Sequence, residues 1–474
     1  MKQWRWTLYV LLALTVALGG VVSHTAPLAQ AQDTTRGVEV WYFPSDELGP
    51  ALVEYRDAAG TVLASYMLAT DNLGEIFQGG GYLATHDGND FVGVFDPRVG
   101  VLHYFTVIDK PPDNDTDFYA LSRVIPAPNG YVLYGVFRLP TQFGLSAYSI
   151  IYYADPRYEQ VRAVYSTESA DPGFVVAPLA WNGDGTMVLV HNSLQGIGGY
   201  ILFWTYLSVQ ARPLVDMEQS IELGDLDGFA DDLSMTARVL LDADYVVQGV
   251  EVTTVATGAK MSYPLPALGE PVYTGGNAHF SPSHNRLAYQ VARRNAEDEK
   301  FWTVVVDLQS GQSRVVLEQP STPDEWDFGY ITGWLDDSTL VVSYSWQGHS
   351  ILVDMDTGAV TDVPGVFMGY AQGVDDVSGF AAPGVAYVQC DNSPISRLRP
   401  GVRGRVMVNV VDVYSWAAYD ADVVVQEGAG ATFTVQHGPY CGPNGLWWGV
   451  LFDDGQEGYV SESSTQGVFL EPLP

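Results

Sequence analysis

The sequence predicts an all-β protein: a multi-bladed β-propeller of six or seven blades, followed by a small β-barrel. Three observations carry this. From Val38 to about Val374 there is scarcely a helical pattern; short apolar strands alternate with Gly, Asn, Asp and Pro. The turn signals in that region recur about every 40–55 residues, the length of a four-stranded blade with insertions. The last hundred or so residues hold short apolar strands, each bounded by turn residues, that together look like one small barrel.

The strands of the long region are plain in Tyr131–Phe137, Ile201–Tyr206 and Thr303–Asp307. Its turns include Asp87-Gly88, Asn129-Gly130, Asp184-Gly185, His284-Asn285 and Asp336-Asp337. A β-sandwich array is the alternative, but it leaves the long repeat unexplained. Ring closure removes the sheet edges that would otherwise pair with other chains. The strand at Val38–Tyr42 or Leu52–Tyr55 is therefore expected to complete the last blade.

One unit is clearest. Phe280-Ser281-Pro282-Ser283-His284-Asn285-Arg286-Leu287-Ala288-Tyr289 precedes Trp302–Asp307 and the turn Asp307-Leu308-Gln309-Ser310-Gly311. This resembles the WD40-like blade of TolB-type propellers. Gly333–Leu340 with Asp354-Met355-Asp356-Thr357-Gly358 fits the same pattern, and Ala180–Thr186 is a weaker copy. The resemblance implies that the first turn joins two strands and that the Ser-Gly or Thr-Gly turn reverses the chain into the outermost strand. Ser283-His284 stand where that pattern has Asp-Gly, so this hairpin is expected to be altered.

The segment 375–388, with Gly379, Ala381, Ala382, Pro383 and Gly384, shows no alternation and reads as a linker between the propeller, 32–374, and the C-terminal module, 389–474. In that module Ser396–Val406, Gly430–Val435, Gly438–Cys441, Trp447–Val450 and Gly458–Val460 resemble the bacterial SH3 (SH3b) domain. The resemblance implies an SH3-like barrel that binds rather than catalyses. Asp412–Ala418 stands where that family has Arg-Ser-x-Pro, and Gly458-Tyr459-Val460 where it has Gly-Trp-Val; these departures bear on the ligand groove.

The N-terminus sets the compartment. Lys2 and Arg5 precede an apolar run from Leu8 to Val22, and Ala29-Gln30-Ala31 offers small residues at a cleavage site. Residues 1–31 read as a secretory signal peptide, with an uncleaved anchor as the alternative. No later segment is apolar enough for a membrane helix, so an extracytoplasmic protein is expected, secreted or associated with the cell envelope. Lys+Arg 22 against Asp+Glu 56 gives a net charge of −34. Such a chain repels nucleic acid and anionic lipid. The only two cysteines, Cys390 and Cys441, are expected to form a disulfide in an oxidising compartment. It would close a loop of about fifty residues, stabilising by about 4 kcal/mol in the chain-entropy model. It would staple the small module.

No enzyme is expected. No Gly-x-Ser-x-Gly elbow occurs, the eight histidines are scattered, and a disulfide leaves no cysteine nucleophile. A metal-dependent lyase or hydrolase working in the propeller channel is the alternative. No cofactor is expected. Calcium is the one ion to weigh: Asp113, Asp115 and Asp117 alternate, as do Asp225 and Asp227 ahead of Asp231. In so acidic a chain the plainer reading of both runs is a solvated turn.

Two groups remain as ligand-binding candidates. Arg397, Arg399, Arg403 and Arg405 form the densest basic cluster; they would grip an anionic polymer or, more plainly, pair with neighbouring acids. The aromatics Tyr414, Trp416, Trp447 and Tyr459, with Tyr419 and Tyr440 nearby, would line a groove. Alternation along Leu446–Val450 puts one of Trp447 and Trp448 in and one out. The expected function is non-catalytic binding or scaffolding: the propeller presents a surface while the module docks to wall glycan or peptide, or to an envelope protein. A pure assembly role is the runner-up.

Overall fold

The computed structural model describes residues 37–473 apart from 45–50, 69–76, 80, 87–90, 107–116, 128, 141–146, 156–159, 170–173, 183–184, 195–204, 294–299, 321–328, 345–346, 372–373, 375, 391–392, 443–444 and 465–466. The expected leader lies outside these residues. Among the described residues there is no helix at all, and so none able to cross a membrane.

Seven antiparallel blades form a ring. Blades two to seven are each built from four consecutive strands, opening with Phe77–Gly79, Asp117–Pro126, Phe174–Trp181, Gly228–Phe229, Thr274–Phe280 and Tyr330–Trp334. Apart from the pair between blades four and five, the innermost strands of neighbouring blades touch one another, which places them round the axis. Blade one is assembled from both ends of the propeller segment. Val366–Ala371 is its innermost strand, and Val38–Phe43 pairs with it antiparallel, Val38 opposite Ala371 and Tyr42 opposite Val366. The N-terminal strand thus closes the ring, as expected.

Two blade turns follow the sequence signals closely; the expected turns at Asp87-Gly88 and Asp184 lie outside the described residues. Asp307 ends a third strand, and its carboxylate accepts the N–H groups of Gln309 and Ser310 at 3.1 and 2.7 Å. Asp354 does the same for Asp356 and Thr357 at 2.9 and 2.8 Å. Gly311 and Gly358 then take φ of 74° and 70°, the left-handed region a glycine enters without strain. The first turn of blade six is the altered one. His284 itself sits at φ 56°, where the Gly of an Asp-Gly turn would stand.

The segment 375–388 is more than a connection. Gly384–Val385 adds a parallel strand to Val62–Leu68 on the outer edge of blade one. Tyr387–Cys390 adds another to Val101–Thr106 on the outer edge of blade two. Beyond it the chain forms a seven-stranded antiparallel sheet. Its edges are Val423–Gly428 and Leu470–Pro472, which are not bonded to each other, so the expected barrel is an open sheet. The reason is visible in the packing. The strand Tyr387–Cys390 touches the long strands Thr432–Gly442 and Gly445–Phe452. One apolar core runs from Val40, Tyr55 and Leu102 through Val388 and Cys390 to Leu398, Val413, Phe433 and Trp448. Propeller strands cover apolar surface that closure would otherwise bury.

Cys390 and Cys441 are bonded, with Cα atoms 5.6 Å apart. The bridge does not staple the sheet to itself, as the sequence suggested. Cys390 belongs to the strand added to blade two and Cys441 to the C-terminal sheet, so it ties the two parts together.

Candidate binding surface

Glu462 anchors the C-terminal sheet. Its carboxylate is buried and accepts from the Trp448 indole at 2.7 Å, the Ser396 hydroxyl at 2.6 Å and the Arg397 N–H at 2.8 Å. Three donors satisfy the charge where water is absent. They fix the incoming segment against the sheet's central strands.

An aromatic layer is built on that frame. Tyr459 lies opposite Tyr414 on one side and Gly449 on the other. Tyr440 lies opposite Trp447. The loop after Val410–Tyr414 is folded by Ala418 N–H to Trp416 O and Ser415 N–H to Asp422 O, both short main-chain bonds. Trp416 is 59% exposed, and its ring stands 5.4 Å from Tyr459 and 6.1 Å from Tyr440, which are themselves 5.6 Å apart. His437 joins from the edge, its Nε2 3.2 Å from the Tyr459 hydroxyl. A side chain at Gly449 would occupy the imidazole's place, with a Cβ 2.1 Å from Nε2. A glycine there is what admits His437 to the cluster. His437 and Gly449 escape the sequence reading; only the cross-strand register brings them together.

Trp447 and Trp448 are both buried, at 1% and 0% exposure, contrary to the expected alternation. Trp448 lies in the shared core. Trp447 points the other way, but Tyr414 and Tyr419 cover it, with ring centroids at 5.4 and 4.5 Å. Tyr414 is itself buried, and burial together with Asp412 raises its hydroxyl above the usual tyrosine range. Of the four aromatics singled out in sequence, Trp416 and Tyr459 reach the surface; Tyr414 and Trp447 support it.

The arginines lie elsewhere. Arg403 pairs with Asp453 and Arg405 with Glu471, on a strand bonded to Thr432–Gly442 and Leu470–Pro472. Arg397 reaches the Leu470 carbonyl at 3.4 Å, and Arg399 is exposed. Two of the four guanidinium groups are thus neutralised locally, the plainer reading of the cluster.

Two of the carboxylates weighed for calcium have separate tasks. Asp225 accepts the Ser208 N–H at 2.9 Å and faces Arg238 at 3.5 Å. Asp227 is buried between blades and accepts the Thr205 hydroxyl and the Val239 N–H, each at 2.6 Å. Asp231 lies in an exposed turn. Asp113 and Asp115 are outside the described residues, and Asp117 opens the inner strand of blade three. Among the described residues no three metal-ligating side chains converge. A Ser234–His284–Asp232 trio meets at that same turn face, but hydroxyl and carboxylate both approach Nδ1, at 3.5 and 4.0 Å. A general base that receives a proton on one nitrogen and is oriented through the other needs them on opposite sides.

Burial raises Asp227 to about 6 against its neighbours' hydrogen bonds. Between its ordinary 3.8 and 6 the folded chain holds a proton that the unfolded chain releases. Stability contributed here therefore falls as pH rises through that window. His279 and His191, lowered by burial to about 4, titrate in the opposite sense. The Asp227 share is best seen in Asp227→Asn. Its stability relative to the unmodified chain should rise by about 2 kcal/mol from pH 4 to pH 7 in urea unfolding. A pH-independent difference would remove this assignment.

No family model matches the chain, and no curated protein matches it. Solved structures do. An oligogalacturonate lyase in complex with manganese is 12% identical, with 69% of this chain and 85% of that one covered at a TM-score of 0.36. An oligogalacturonate lyase from Vibrio parahaemolyticus is 9% identical over 69% and 85%, at 0.33. Dipeptidyl peptidase 4 of Porphyromonas gingivalis is 12% identical over 81% and 52%, at 0.31.

Proposed function

We propose that this is a non-catalytic extracytoplasmic binding protein, whose propeller serves as a rigid frame and whose C-terminal sheet is an SH3b-like module that docks to wall glycan or peptide. The observation that carries the reading is the Trp416 ring, more than half exposed and standing on Tyr440 and Tyr459. Exposed aromatic faces stack on sugar rings and on peptide planes, and their energy comes from apolar contact rather than charge. The disulfide is in keeping with an oxidising compartment.

The test is sedimentation of the full chain with purified cell walls. Binding should survive a rise from 0.05 to 0.5 M salt, because the Debye length then shrinks from about 14 Å to about 4 Å without touching stacking. Trp416→Ala should weaken it by about tenfold or more, while a double Arg403→Gln, Arg405→Gln chain should bind as before. Binding that collapses with salt and with the arginine pair would transfer the role to the arginines. No sedimentation at low salt would leave an assembly role in its place.

A further inference from the structure

A different part of the same sheet carries a second inference. The strand Val423–Gly428 is an edge. It pairs on one side with Val410–Tyr414, and among the described residues its other side makes no main-chain hydrogen bond. The opposite edge, Leu470–Pro472, is three residues long and ends in proline, two devices that blunt an edge. Val423–Gly428 has neither. A bulge at Val424, where Tyr414 pairs Val423 and Val413 pairs Val425, turns both Val423 and Val424 outward, at 48% and 52% exposure. Beyond the bulge the strand runs regularly to Gly428.

Charge selects what such an edge accepts. From Met407 to Pro474 the chain has no lysine or arginine, against nine acidic residues. Five of these, Asp412, Asp420, Asp422, Glu427 and Asp454, sit on or beside this strand, its partner or the facing turn, and none has a basic partner among the described residues. Asp453 and Glu471, a few residues away, do have arginines. Glu427 lies on the same face as Val425, which packs on the core. Burial and the neighbouring Asp454 raise its carboxyl above the usual range, the mark of two acids crowded together with no cation between them.

We infer that Val423–Gly428 is a docking edge for an extended basic peptide of a protein partner, which adds as an eighth strand to the C-terminal sheet. Main-chain bonds to the free edge hold the peptide, and its lysines or arginines meet the unpaired carboxylates on either side. The same carboxylates bar the other occupants. A second copy of this chain would bring its own acidic edge, and the chain's net charge is −34. Inward and flanking charge of one sign is a means by which edge strands avoid their own kind. This does not depend on Trp416 or on wall binding.

The test uses the full chain and synthetic ten-residue peptides with Val and Lys alternating, titrated by fluorescence anisotropy at 0.1 M salt. The Lys peptide should bind, and its Glu counterpart should bind at least about tenfold more weakly. N-methylation of alternate residues on one side of the peptide should cost about a hundredfold, and on the other side little, because only one side pairs with the edge. Asp422→Lys with Glu427→Lys should weaken binding by about tenfold and leave thermal unfolding in place. Three outcomes overturn the inference: no binding of the Lys peptide, equal loss from both N-methylated sides, or equal affinity for Lys and Glu peptides.

Discussion

Gly228→Ala should destabilise the chain by about 3 kcal/mol or more, although it adds one methyl group. Gly228 lies in the two-residue inner strand of blade five, and a Cβ built there would fall 1.9 Å from the Ala278 carbonyl oxygen of blade six. The clash is with main chain, which cannot rotate away. The two blades are also bonded there, Ala278 N–H to Asp227 O at 2.8 Å, so a shift that made room would break an inter-blade bond. Gly379→Ala is the control. Nothing lies within 4 Å of a Cβ at that position, and it should fall within about 0.5 kcal/mol of the unmodified chain in urea unfolding. Equal effects at the two glycines would mean that blades five and six do not meet main chain to main chain.

Glu462→Ala is expected to be as severe, for an electrostatic reason. Removing the carboxylate strands the Trp448 indole and the Arg397 N–H without their acceptor in a site closed to water, and leaves the Ser396 hydroxyl only the Leu398 carbonyl at 3.1 Å. Hydrogen bonds to a buried charge are worth about 1.5–3 kcal/mol each, but their losses do not add, so the total should be about 3–5 kcal/mol. Glu462→Gln keeps the shape and one acceptor oxygen and should lose less. Tryptophan emission should shift red at lower denaturant in the alanine variant, since Trp448 is the fully buried indole in the path of the change. A loss under about 1 kcal/mol would show that water reaches the site and replaces the carboxylate.

The parts of this fold that were legible in the sequence are those written locally. The turn at Asp307–Gly311 is specified within five residues: a carboxylate that caps two N–H groups, then a glycine at positive φ. The same is true of Asp354–Gly358. Blade number was not fixed, because blade one is assembled from both ends of the propeller segment and its pairing of Val38 with Ala371 leaves no local mark. The cysteine pair was legible, but not what it joins. Read locally, Cys390 falls in the module, and its strand in fact extends blade two. Strand addition of this kind is carried by main-chain groups, which every residue has. Both tryptophans of Trp447-Trp448 are buried because the sheet has two covered faces, one on the shared core and one under Tyr414 and Tyr419. Alternation assumes a wet side. The ligand candidates divide for the same reason: sequence gives the residues Trp416, Tyr440 and Tyr459, while register decides that His437 joins them and that the arginines do not.

The proposed role places envelope contact on the aromatic face of the C-terminal sheet and not on the propeller. Hydrogen exchange of the full chain, read peptide by peptide with and without solubilised wall fragments, tests that most directly. Slowed exchange is expected in the peptides holding Asp412–Tyr419, His437–Tyr440 and Tyr459, with the propeller turns and the 397–405 segment unchanged. Protection confined to the propeller turns, with none around Trp416, would contradict it.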